Sequence, residues 1–93
     1  MAEKQRKKIV NPPPITVEVE DLKGQAHILT ARTVTPDNTG EFIQIVEKTP
    51  TGESIMAQAI WIFGEDKEFF KNFDLRVIKA AITSFSEQMQ NPT

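Results

Sequence analysis

The sequence contains no cysteine, no tyrosine, one histidine and one tryptophan among its 93 residues. Without cysteine there is no disulfide framework and no thiolate to act as nucleophile or metal ligand. Small secreted domains commonly depend on such staples, so the expected setting is the cytoplasm. His27 has neither a cysteine nor a second histidine to complete a zinc set, and Ser54, Ser84 and Ser86 have no neighbouring base. No stretch approaches the roughly 18 apolar residues of a membrane span. Met1-Ala2-Glu3-Lys4 leads into Gln5-Arg6-Lys7-Lys8 rather than an apolar core, so no signal peptide is read. The four glycines are spread evenly, which excludes a glycine-rich phosphate loop. Glu65, Asp66 and Glu68 crowd together without the calcium-loop pattern and read as acids at the positive end of a helix. These absences point to a non-enzymatic chain with no metal or cofactor, acting by binding another protein.

What is present divides into an arm and one globular unit. Residues 1–14 join the basic run Lys4, Arg6, Lys7 and Lys8 to Asn11-Pro12-Pro13-Pro14. Three consecutive fixed φ angles and missing N–H groups prevent both helix and ladder there, so the triplet reads as a stiff spacer. The residues after Lys8 carry seven Lys and Arg against twelve Asp and Glu, a net charge of −5. An acidic body of this kind argues against a nucleic-acid surface built into the fold.

Residues 15–93 form the expected domain, of the α+β class. Ile15-Thr16-Val17-Glu18-Val19-Glu20 alternates apolar and polar with the period of a half-buried strand. Asp21 to Gln25 supplies a turn around Gly24, and Ala26 to Val34 returns antiparallel as the second strand of a hairpin. Thr35-Pro36-Asp37 has the hydroxyl, proline and acid of a helix start, and Phe42, Ile45 and Val46 fall on one face of the helix it would open. A second helix is expected over residues 53–63, ending at Gly64, because Met56, Ala57, Gln58 and Ala59 favour helix. A short helical turn opens at Glu65 and carries Phe69 and Phe70. Asp74 then caps a last helix whose apolar stripe is Leu75, Ile78, Ile82, Phe85 and Met89, ending near Asn91-Pro92. The period of residues 41–63 also admits strands joined at Thr49-Pro50-Thr51-Gly52, so the alternative fold is a four-stranded antiparallel meander with a C-terminal helix.

Trp61, Phe69, Phe70 and Phe73 lie within thirteen positions, and a small domain struggles to hide them all, so one or two are candidate exposed anchors for a partner. The element order, with Leu29-Thr30-Ala31-Arg32 before the Thr-Pro start and Ile60-Trp61-Ile62-Phe63-Gly64-Glu65-Asp66 before Phe69-Phe70, Phe73-Asp74-Leu75 and a last amphipathic helix, resembles the tail assembly chaperones of long-tailed bacteriophages. The resemblance spans roughly residues 26–91. It implies a mostly helical protein that binds the tape-measure protein, keeps that long apolar chain soluble in the host cytoplasm, and helps recruit tail-tube subunits. In that family a longer frameshifted form is frequent, which the ending Gln88-Met89-Gln90-Asn91-Pro92-Thr93 would fit. Carried onto this chain, Trp61, Phe69, Phe70 and Phe73 would anchor the partner, with Ile78, Ile82 and Phe85 as the floor of the groove. The proline-rich arm and any β-meander depart from the family's pattern. Two other classes compete: a structural phage component of the head–tail junction or tube, self-assembling as a homo-oligomer, and an acidic inhibitor or regulator of a host protein.

Overall fold

The computed structural model describes residues 6–48 and 51–90. It is α+β: an antiparallel hairpin, β1 (Thr16–Glu20) and β2 (Ala26–Thr30), followed by α1 (Thr39–Val46), α2 (Gly52–Phe63), α3 (Lys67–Phe70) and α4 (Leu75–Gln90). Residues 41–46 and 52–63 are helical, so the meander alternative does not form. Of the turn proposed for it, Thr49 and Pro50 lie outside the described residues, as do Met1–Gln5 and Asn91–Thr93.

The hairpin register sets Val17 opposite Leu29 and Val19 opposite His27. These four side chains face the helices, while Glu18, Glu20 and Ile28 point to solvent. Gly24 turns the chain at φ +84°, a conformation that a side chain would strain. The Asp21 carboxylate fills the turn from inside, accepting the N–H groups of Lys23 and Gln25 at 2.9 Å each. The second strand ends at Thr30, short of the expected Val34. Beyond it the Arg32 N–H bonds the Ile62 carbonyl at 2.7 Å, so the chain leaves its partner strand for the end of α2.

The expected Thr35 cap is not made. Asn38 precedes α1, and its side chain reaches backwards, accepting from Thr35 N at 2.9 Å and donating to the Thr33 carbonyl at 3.1 Å. Thr35 to Asn38 therefore forms a turn and the helix begins later. Helix α2 starts as its residues demand, with Thr51 Oγ1 accepting from Ser54 N at 3.2 Å. It stops at Gly64, whose φ of +73° and bond to the Ile60 carbonyl close the helix. Asp66 caps α3 through Phe69 N, and Asp74 receives Arg76 N at the start of α4.

Ile55, Ala59, Ile62 and Phe63 place α2 at the centre of the core, between α4 and α1. The buried stripe of α4 is Ile78, Ala81 and Phe85, flanked by half-buried Val77 and Ile82. Leu75 and Met89 sit at the helix ends, only partly covered, and are exposed. Among the described residues no helix is long and apolar enough to cross a membrane.

Candidate functional site

The four aromatic residues expected to anchor a partner do not share one surface. Phe69, Phe70 and Phe73 form one cluster under the hairpin, with ring centroids 5.1–6.3 Å apart. His27 joins them edge-on, 5.6 Å from Phe69 and 5.3 Å from Phe73. Its Nε2–H donates to Asp21 Oδ2 at 2.8 Å, the ionised carboxylate being the acceptor. The Asp21 carboxyl is held below the ordinary range by that bond first and by the Gln25 and Lys23 N–H groups after it. The turn is also tied to the loop before α4 through Leu22 N and the Asn72 carbonyl, at 2.8 Å. These contacts hold the hairpin tip on the aromatic cluster; no serine or threonine hydroxyl is bonded to His27 among the described residues.

Trp61 belongs to a second cluster. Phe42 stacks on it at 5.0 Å, the Arg32 guanidinium lies 4.4 Å from its ring centroid, and its Nε1–H donates to Glu41 Oε2 at 3.0 Å. Phe42 and Phe63 both meet Phe85 edge-on, at 6.1 and 6.4 Å. Thus Phe70 (2 % exposed), Ile78 and Phe85 (1 %) are core, Trp61 and Phe73 are buried, and only Phe69 and Ile82 keep part of their surface accessible. Of the four candidate anchors, Phe69 keeps part of its surface accessible, while Trp61, Phe70 and Phe73 are enclosed. The chain hides more aromatic surface than its length led us to expect because two separate clusters, one under the hairpin and one under α1, divide it between them.

The open apolar space lies elsewhere. A groove of about 570 Å³ runs between the proline spacer and the segment immediately after β2. Pro12, Pro14 and Ile15 form one wall and Arg32 to Pro36 the other. Phe85 backs it, and Met89 and Gln88 close the α4 end. Pro12 and Pro14 contribute no N–H donor to this wall, which leaves Asn11 and Ile15 as its N–H-bearing residues. Arg32 is the one ionisable side chain along it among the described residues, and it is engaged on Trp61. A space of this size, apolar and with few polar groups, suits the side chains of a bound segment. Gln88 fastens the rim by donating from Nε2 to the Thr16 carbonyl at 3.2 Å and to Ser84 Oγ at 3.1 Å.

Beside this groove stands α1, none of whose residues is buried. Phe42 and Ile45 rest on the core, whereas Ile43 (49 %) and Val46 (46 %) face solvent. Sequence reading missed the groove because its walls come from residues 11–15, 31–36 and 85–89, which only folding brings together. The signal available was the proline triplet placed directly before an apolar strand.

Comparison with known proteins gives no identification: no protein-family model, no curated protein and no solved structure matches the chain. Groups of three or more His, Asp or Glu able to hold a metal ion do not occur among the described residues.

Proposed function

We propose that this chain is a non-catalytic binding protein for an apolar segment of another protein. In its specific form this is the role of a tail assembly chaperone, keeping the tape-measure protein soluble in the host cytoplasm. The observation that carries the binding role is the groove between the proline spacer and residues 31–36, with one engaged cation and no acid–base pair on its walls. The half-exposed apolar side of α1 adjoins it through Phe42, Trp61 and Phe85 and supplies further surface for a helical segment. The tape-measure assignment rests on the sequence resemblance.

The test is co-expression with a tape-measure fragment, scored by the fraction of fragment kept soluble and by co-purification. Val34→Asp and Met89→Glu place charge in the groove and are expected to lower co-purification at least about tenfold, consistent with a desolvated charge left unpaired. Met89→Glu, at an exposed position, should keep the parent's denaturation midpoint, whereas Val34→Asp, half-buried against the core, should lower it, so Met89→Glu decides whether the loss is one of binding. Solubilisation that survives both substitutions removes the groove from the reading. A fragment that is insoluble with and without the chain removes the tape-measure protein as partner.

A further inference from the structure

Asn11, Pro12 and Pro14 of the arm line the groove, and the residues before them stand free of it. Residues 6–14 are exposed throughout and have no regular structure, and Ile9, at 89 %, and Val10, at 65 %, are among the most exposed large apolar side chains. The radius of gyration is 16.0 Å and the long dimension 58 Å. A compact domain of this length would have a radius of about 12 Å, so the protein is elongated.

The acidic body offers a matching edge. Ile15 and Asp21, flanking β1, are joined by backbone bonds to Ala31 and Gln25, so the odd-numbered residues of β1 turn their N–H and C=O groups toward β2. Alternation then turns those of Thr16, Glu18 and Glu20 outward. The Gln88 bond to the Thr16 carbonyl agrees with this and covers only the first of them. Glu18 and Glu20 are exposed and make no ion pair among the described residues.

We propose that Arg6–Val10 is a donor strand, matched residue for residue to the β1 edge of a second copy of this chain and exchanged reciprocally in a two-fold dimer. Antiparallel alignment puts Arg6 opposite Glu20, Lys8 opposite Glu18 and Val10 opposite Thr16, so both acids meet a cation. On the other face Ile9 lies beside Val17, and Lys7 lays its stem along Val19 with its ammonium at the rim. A parallel strand of the same five residues would oppose Val10 to Glu20 and lose one pair. The arm does not satisfy its own β1, because the reversal would have to occur at Asn11 to Ile15, where Pro12-Pro13-Pro14 runs extended at about 3.1 Å per residue. A short stiff link that forbids closure within one chain favours exchange between two.

Charge exchange tests this on the full-length chain. By sedimentation equilibrium the parent is expected to dimerise. Arg6→Glu with Lys8→Glu should weaken the dimer at least about tenfold through like-charge opposition, and Glu18→Lys with Glu20→Lys should do the same. An equimolar mixture of the two double variants should regain the parent's affinity, since each arm again meets an edge of opposite sign. Because the chain lacks cysteine, Lys8→Cys mixed with Glu18→Cys should form a disulfide between two chains under mild oxidation, the Cα separation of opposed strand residues being within disulfide range. A parent that stays monomeric at about 1 mM, where a dimer of that dissociation constant would be half formed, overturns the proposal. So does a dimer indifferent to both double variants, or a mixture that remains monomeric. An arm that instead serves an anionic partner would give the first of these results.

Discussion

At the residue scale, the side chains that matter most for stability are those that looked like binding anchors. Phe70 is fully enclosed, so Phe70→Ala leaves a cavity, and a loss of about 3–5 kcal/mol is expected, read as a lowered urea midpoint. Loss of partner binding in that variant would result from unfolding. Acid sensitivity is set by Asp21 and Asp74. Asp74 is lowered from 3.8 to about 2, first by its side-chain bond with Arg76 and then by the Arg76 N–H, and Asp21 is lowered by His27 and the turn N–H groups. Both titrate lower folded than unfolded. Their contribution is therefore complete above the ordinary carboxylate value and is lost as pH falls below it, for Asp74 toward about 2. Urea midpoints measured across that window should decline, and less steeply for Asp21→Asn with Asp74→Asn. Equal slopes would assign the acid loss to other groups.

At the scale of elements, the end of α2 and the start of α4 were legible because each is a local match between a few neighbouring atoms. Gly64 and Asp74, read from the sequence as a helix stop and a cap, stand at ends that backbone donors and acceptors require to be capped, and each does so; Thr51 and Asp66 do the same at ends where the sequence reading named no cap. Gly64→Ala meets no atom within 4 Å of the added Cβ, so its cost is the left-handed backbone alone. About 1–2 kcal/mol is expected, measurable by thermal unfolding with the spectrum otherwise unchanged. The start of α1 was not legible in the same way. Thr35-Pro36-Asp37 has the right chemistry, yet Asn38 bonds Thr35 N and the Thr33 carbonyl and forms a turn in its place. Two equally local solutions were available, and nothing in periodicity separates them. For α4 the period of three and four located the face, but Leu75 and Met89 share that face and stay exposed at its two ends, while Ile78, Ala81 and Phe85 between them are buried.

At the scale of the whole molecule, the protein combines a helical layer, a hairpin with one solvated face and a basic, proline-rich segment ahead of an acidic body. A far-UV spectrum should be dominated by the double minimum of helix, since four helices outweigh two five-residue strands. A strand-dominated spectrum would contradict the fold and the groove with it. The sequence alone determined the hairpin, the α4 segment, the stiffness of the proline spacer and the separation of charge, because alternation, helical period, caps and fixed φ angles act over a few residues; helix against strand for residues 41–63 was decided by the tertiary structure. Tertiary structure decided which aromatic residues are core. It separated Trp61 from Phe69, Phe70 and Phe73, and it built an apolar groove from residues 11–15, 31–36 and 85–89. Those outcomes depend on which surfaces cover one another, and burial of that kind is a property of distant pairs that no local pattern encodes.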